Sequence, residues 1–568
     1  MLMEEYNSRN KNLLNTPSDY DRYIALENEL KKENRKEDLE NIIKLLSPPE
    51  DITSICNSNN GKGVKIAIVG AGEAGLVAAY ELKKIGCNIT IFEASKRVGG
   101  RVYTHYFDRL NKYYGEFGES SIPISHYTTW HYINLFNLKT YPCINKNQNF
   151  YLRNNFSYNT EKQISKNILP KYTLTKIDKI KLKTREHLNI YNKYLMKLTV
   201  EERKELLEIK KNYSKKIVDL DKLTLKKAFQ LEGFSRDAIN LIGYINGIKE
   251  WYDFSLIEFL HKQYTLDFSN NYNILGGMIK LPQAIYGAIT EENSKYYSNI
   301  SKEELGEANV KLGYSVEEIY YKKDKIGIRY LDLENKLESN EDFDFLLITV
   351  PFNSIKRIKG ISVFSNDKLA AIDEIKLKNS QKIYLYVKER FWEKGVNNKR
   401  IIGGKTITDL PIYSVEYPLN SESIYFDENN KACVDIRRSL KKPGILLASS
   451  SIGDKADEFS YLTDDIKIND TIRYIENIHN LSKGYLDNIL LDYKSLVWSD
   501  VQYIWGFSTI YKPEDKTLYS YSSISSELNN RVFFAGDSTS TKHGTQQGEL
   551  QSGVIAANNI AKEIFKIN

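Results

Sequence analysis

The chain has 568 residues, with 80 Lys plus Arg against 74 Asp plus Glu and a net charge of +6. That length holds two or three domains with a sizeable core, and so small a basic excess gives no argument for nucleic acid as a partner. No apolar run reaches the ~18 residues of a membrane span, so no membrane association is expected.

The N-terminus, Met1-Leu2-Met3-Glu4-Glu5, is charged and lacks the apolar stretch of a secretory signal, so a reduced cytoplasmic setting is expected. Residues 24–46 have the spacing of a charged amphipathic helix. Ile66–Val69 is a short β-branched run suited to a buried parallel strand. Gly70 permits a tight turn, Gly72 a close backbone approach to a pyrophosphate, and Gly75 close packing of the next helix, Leu76–Lys84. The N-terminus of that helix would face the phosphates. Asn88–Phe92 reads as a second strand, ending at Glu93, where an acid can accept from a ribose 2′-OH. Strand, glycine turn, helix, strand and acid in this order predict dinucleotide binding. Residues 156–260 are highly charged with helical spacing, as in Leu198–Tyr213 and Leu223–Leu231. They read as a helical insert capping a substrate entrance, a solvated bundle being the alternative. Val310–Ile319, Ile326–Tyr330 and Phe343–Val350 read as strands, as do Ile383–Val387 and Ile445–Ser449. Cys56, Cys87, Cys143 and Cys433 are scattered without metal-ligand spacing, as are His126, His131 and His543, so no metal is expected. Cys87 reads as a free buried thiol.

Several separated motifs occur in a fixed order: Glu93-Ala94-Ser95, Gly99-Gly100-Arg101-Val102, Gly115-Glu116-Phe117-Gly118, Thr349-Val350-Pro351, Lys382-Ile383 leading to Phe391-Trp392, Arg531 to Asp537, His543 to Gly548, and Ser552 to Ala557. Together they resemble the FAD-dependent amine oxidase family, over nearly the whole chain. Gly403-Gly404-Lys405, Thr408-Asp409-Leu410-Pro411 and Gly453-Asp454 look like its L-amino-acid oxidase branch. The resemblance implies an α/β fold. An FAD-binding Rossmann-like domain of the GR2 type would be interleaved with a mixed α+β substrate domain and the helical insert. The expected division is a helical lead at 1–60, cofactor-binding segments at 61–101, 261–351 and 491–568, substrate-domain segments at 102–155 and 352–490, and the insert at 156–260. Ser538–Gly544 contains no Cys, so non-covalent FAD is expected.

The resemblance also implies site residues. Cofactor contacts fall on Gly70, Gly72, Glu73, Ala74, Gly75, Glu93, Ala94, Gly100, Arg101, Gly118, Glu119, Ser120, Ser121, Val316, Gly536, Asp537, Gly544, Thr545, Gln546, Gln547 and Gly548. Arg101 is expected at the pyrophosphate and Asp537 at ribityl or ribose hydroxyls. Lys382, on residues alone a surface lysine at a strand start, becomes the expected catalytic side chain, reaching a water at flavin N5. The branch's carboxylate-clamping arginine is replaced by Ser121, its supporting tyrosine falls in Ser449–Ser451, and its late aromatic is Thr545. Ser121, Ser450, Trp498 and Thr545 are therefore the expected substrate residues, with Tyr503 and Trp505 as further aromatic walls or core. Glu119 either pairs with a cationic substrate group or faces the flavin edge. The expected reaction is oxidation of the C–N bond of an amine or amino-acid-type substrate, with O2 as acceptor and H2O2 as product. A serine cannot replace a guanidinium, so an ordinary free L-amino acid is not expected as substrate. A flavin monooxygenase giving an amide, a desaturase, and a non-catalytic FAD-binding protein remain alternatives. A homodimer is compatible with the sequence.

Overall fold

The computed structural model describes residues 16–143, 148–291, 294–297, 300–394, 400–419, 423–428, 432–435 and 442–567. Met1–Glu5 lie outside them.

A five-stranded parallel sheet organises the cofactor-binding part, in the order β3-β2-β1-β4-β5. Its strands are β1 (Lys65–Val69), β2 (Asn88–Glu93), β3 (Glu307–Leu312), β4 (Phe345–Ile348) and β5 (Val532–Phe534). Both faces are buried. In β1, Ile66 and Ile68 turn to the helical side while Ala67 and Val69 turn to the other. In β4, Phe345 and Leu347 alternate in the same way with Leu346 and Ile348. A continuous apolar run suits such strands because each side of the pleat meets a core.

Helix α1 (Glu73–Lys84) follows β1 directly, and α2 (Gln546–Ile567) packs along it. Small residues set that contact: a Cβ on Gly553 would lie 2.5 Å from the Ala74 carbonyl oxygen. Gly70 turns out of β1 at φ +110°, and a Cβ on Gly75 would meet the Gly70 carbonyl oxygen at 2.1 Å.

A seven-stranded, mostly antiparallel sheet forms the second unit, in the order Leu490–Val497, Ser380–Val387, Gly444–Ile452, Ser414–Glu416, Lys405–Thr408, Gln148–Leu152, Asn155–Tyr158. Leu490–Val497 belongs to this sheet, so the expected boundary at 490 lies too early. Helices fill much of the stretch from Glu161 to Tyr264, the last, Leu256–Tyr264, running past the expected limit at 260.

Three sequence expectations change. The helix expected over 24–46 is two, Asp19–Lys32 and Leu39–Leu46, because Asn34 turns left-handed at φ 55°. The strand expected over 310–319 divides at Gly313, φ +80°, into β3 and an antiparallel strand, Tyr314–Lys322. Of Leu198–Tyr213 only Val200–Lys204 is α-helical, since Lys516 Nζ takes the Leu206 and Glu208 carbonyls at 3.2 and 2.9 Å.

Gly75→Val should therefore cost about 1–3 kcal/mol through overpacking. Thermal melting should show the loss, and the purified variant should retain less flavin absorbance per protein than wild type.

Candidate active site

Two cavities meet at the segment Glu116–Ser121. One, of about 430 Å³, runs from Tyr314, Val316 and Glu93 past Gly70, Gly72 and Glu73 to Arg101, Glu119 and Gly544–Gln546. The other, of about 1300 Å³, lies among the seven-stranded sheet, the helical region and the same segment. Glu119 lines the smaller cavity, whereas Glu116, Ser120 and Ser121 line the larger. The segment is thus a shared wall.

Its carbonyls are held from behind. Lys382 Nζ donates to the Glu116 and Gly118 carbonyls at 2.9 and 2.8 Å. Tyr384 Oη also donates to the Glu116 carbonyl, and Trp498 Nε1 donates to that of Phe117, each at 3.0 Å. Two of the three Lys382 donors are used, leaving one. Burial lowers the Lys382 pKa, with Glu416 and then Glu116 and Glu119 opposing the shift. Glu116 is pushed up to about 7 by burial, against hydrogen bonds from Met278 N and Thr104.

The smaller cavity fits a dinucleotide. The α1 N-terminus opens onto it, nothing stands within 4 Å of a Cβ built on Gly72, and its volume lies in the usual ligand range. Glu93 accepts from Ala71 N and Ser95 N, both at 2.8 Å, and so braces the turn around the cavity. Glu73 Oε2 and Gln546 Oε1 are buried there without partners, two acceptors available to a ligand's hydroxyl or imide donors.

The remaining expected residues divide. Ala94, Gly100 and Thr545 also line this cavity. Ala74, Gly75, Gly118, Gly536, Asp537, Gln547 and Gly548 do not; they shape what does. Asp537 accepts from Arg101 at 3.0 Å and from Thr509 N at 2.6 Å on Oδ2, and from Gly544 N at 2.6 Å on Oδ1. Burial raises its pKa, but Arg101, His543 and the two amides outweigh that and hold it low. It anchors the Gly544 turn, and Oδ1 keeps one acceptor site for the expected hydroxyl. Arg101 reaches the cavity, but its guanidinium is tied to Asp537 and to Glu549, at 2.5 Å from the latter. Gln547 Oε1 accepts from Thr128 N and Thr129 N at 3.0 and 3.2 Å.

Of the expected substrate residues only Ser121 lines the larger cavity. Ser450 sits opposite Lys382 in register but lines neither cavity. Trp498 is buried against Phe117 and Tyr384. Thr545 closes the first turn of α2, donating to the Lys542 carbonyl at 2.7 Å. Tyr503 and Trp505 line the smaller cavity, where Trp505 lies 3.9 Å from the Arg357 guanidinium.

Sequence reasoning did not single out Arg97, Arg357 and Glu549 on the smaller cavity, or Glu416 on the larger. Glu549 was the most accessible: it stands one helical turn after Gln546, on the same face of α2. The cavity consequently gathers Glu73, Glu119 and Glu549, of which only Glu549 pairs with Arg101. Burial drives all three upward, Glu73 well above its ordinary value and Glu119 to about 8. Glu119 rises although it accepts from Gln546 N at 2.6 Å. Behind that turn, Glu258 pairs with His543 at 3.1 Å and Lys542 with Asp267 at 2.5 Å, joining helix Leu256–Tyr264 to the residues before α2.

This parallel sheet with its glycine turn and braced acid defines a dinucleotide-binding protein. The family model for flavin-containing amine oxidoreductases matches residues 74–561, and the chain belongs to that family, an FAD-dependent one. It is 28% identical over 507 residues to an L-amino-acid oxidase of Sistrurus catenatus edwardsii, covering 87% of this chain and 86% of that one. With an L-amino-acid oxidase of Bothrops atrox it shares 28% over 513 residues, 88% of this chain and 90% of the other. The fold is similar to putrescine oxidase bound to putrescine, with a TM-score of 0.63 and 15% identity over 89% of this chain and 99% of that one. Cyclohexylamine oxidase from Brevibacterium oxydans IH-35A gives 0.63 and 14% over 88% and 99%.

The raised Glu119 pKa carries a sign. Between its ordinary 4.5 and about 8 the folded protein holds a proton that the unfolded chain releases, so stability falls as pH rises through that window. Urea unfolding from pH 5 to 8 should show a shallower decline for Glu119→Gln than for wild type.

Proposed function

We propose that the chain oxidises the C–N bond of an amine or amino-acid-type substrate by hydride transfer to FAD, with dioxygen as terminal acceptor. The observation that carries this reading is Lys382, a buried amine of lowered pKa pinned behind the wall between the cofactor cavity and a cavity of about 1300 Å³. The names of the similar proteins, which are L-amino-acid oxidases and oxidases of putrescine and cyclohexylamine, support the same chemistry.

Bound flavin supplies the hydride acceptor. The substrate carbon gives up a hydride and its nitrogen a proton, leaving an imine that water hydrolyses to a carbonyl compound and ammonia. Dioxygen takes the two electrons with two protons and becomes hydrogen peroxide. Backbone N–H groups at the start of α1 would hold the pyrophosphate, and Glu93 would accept from a ribose hydroxyl. The helical region and the seven-stranded sheet enclose the substrate and exclude bulk water. Lys382 lines neither cavity, and its remaining donor would act through a water at the wall, where its lowered pKa suits proton exchange. Ser121 presents a hydroxyl in place of a carboxylate clamp.

The direct test is anaerobic bleaching of the purified yellow protein by a panel of L-amino acids, monoamines and polyamines, followed by peroxide release on admitting oxygen. Bleaching with stoichiometric peroxide is expected. Oxygen retained in an amide product, or a flavin that no amine reduces, would overturn the oxidase reading. Lys382→Met should retain the flavin spectrum while its turnover falls about 100-fold or more.

A further inference from the structure

The larger cavity contains a carboxylate that no close ion pair joins among the described residues. Glu416 lines it from the strand Ser414–Glu416, and no hydrogen-bond or ion-pair partner for its side chain occurs among the described residues. The register explains its placement. Tyr384 pairs with Leu447, Leu447 with Glu416, Glu416 with Lys405 and Lys405 with Gln148, so these residues form one row across the seven-stranded sheet. Residues directly opposite one another share a face, and Tyr384, Glu416, Lys405 and Gln148 all line the cavity. Lys405 does not quench its neighbour. No ion pair joins them, and Lys405 Nζ lies beside Gly247, 3.7 Å from a Cβ built there, with its charge acting on Glu250.

The charge of Glu416 instead reaches toward the wall segment. It acts on Lys382 more strongly than Glu116 or Glu119 does, and also on Tyr384 and Cys143. A second acceptor faces the same cavity: Asn271 Oδ1 is buried and without a partner. Its neighbour Asn273 donates to the Ser120 carbonyl at 2.5 Å and so fixes this side to the wall. The substrate side of the wall therefore offers the Ser121 hydroxyl, an amide oxygen and an unpaired carboxylate. This part of the lining receives donors and positive charge, while the cations Lys112, Lys179, Lys183 and Arg185 of the cavity lining are on exposed residues. A substrate α-carboxylate would meet Glu416 as a like charge, which costs several kcal/mol in a partly desolvated site.

Resting on the amine-oxidase reading, we propose that Glu416 is the counter-charge for a second cationic group of the substrate, which is therefore a diamine or a longer polyamine without an α-carboxylate. Tyr384 and Glu416 both pair with Leu447 from the strands on either side of it, about 10 Å apart across the sheet, whereas Lys382 pairs with Ser450, three residues further along that middle strand.

The test compares 1,4-diaminobutane, n-butylamine and 4-aminobutanoate on the holoenzyme, by peroxide release and by the apparent Kd and limiting rate of anaerobic bleaching. Wild type should favour the diamine over n-butylamine by at least about tenfold in kcat/KM, the value of one charge-assisted hydrogen bond. The preference should appear in the apparent Kd. In Glu416→Gln the ratio should fall toward one, and Glu416→Asp should recover part of it. Glu416→Lys should reverse the order in favour of 4-aminobutanoate. A wild-type ratio near one, a ratio that Glu416→Gln leaves intact, or rapid turnover of common L-amino acids would overturn the assignment while leaving the oxidase reading standing. Should the variants fail to fold, the wild-type ratio still decides. Failure of every amine to bleach the flavin would overturn the oxidase reading and this inference together.

Discussion

A stretch of backbone placed between two cavities cannot send its carbonyls to water or to a neighbouring strand. They must be satisfied from behind, and this requirement governs the centre of the molecule. The carbonyls of Glu116, Phe117 and Gly118 are taken by Lys382, Tyr384 and Trp498, all from the seven-stranded sheet or the turn that follows it. A buried carbonyl left without a donor costs about 1–3 kcal/mol. The three side chains therefore fix how the sheet sits against the cofactor-binding part. They also explain why a lysine is buried at all: its ammonium is desolvated, but two carbonyls and several carboxylates surround it.

Much of the fold was legible because its signals are local. The run from Ile66 to Glu93 announces a strand, a glycine turn, a helix, a strand and an acid without reference to any distant residue, and the structure has them in those places. The site was less legible, because its residues act through partners far away in the chain. Asp537 reads as a ligand for sugar hydroxyls, and only the fold shows Arg101 and the amides of Thr509 and Gly544 already bound to it. Trp498 reads as a wall of a substrate pocket until its indole N–H is found on the Phe117 carbonyl. Glu416 carries no motif at all. Only strand pairing places it on the row that lines the larger cavity.

Charge is distributed unevenly between the two cavities. On the cofactor side, Glu73, Glu119 and Glu549 line one cavity, only Glu549 pairs with Arg101, and burial pushes all three toward their neutral forms. A neutral carboxyl both donates and accepts, so these groups add polar contacts to the cavity with less negative charge than their number implies. On the other side, Glu416 lines the cavity without a hydrogen-bond or ion-pair partner among the described residues. The wall separates carboxyls that do different electrostatic work.

The order of strands in the parallel sheet bears on how the protein is made. β4 lies between β1, which precedes it by more than 270 residues, and β5, which follows it by more than 180. The turn that closes the cofactor cavity comes later still, just before α2. During synthesis the early strand and its glycine turn must wait, with their apolar faces uncovered, until nearly the whole chain has emerged. Contacts so distant in sequence are slow to form and leave partly built states open to aggregation. The cofactor site is completed last, so acquisition of FAD becomes the closing event of folding, and its supply bears on how much of the newly made chain reaches the native state.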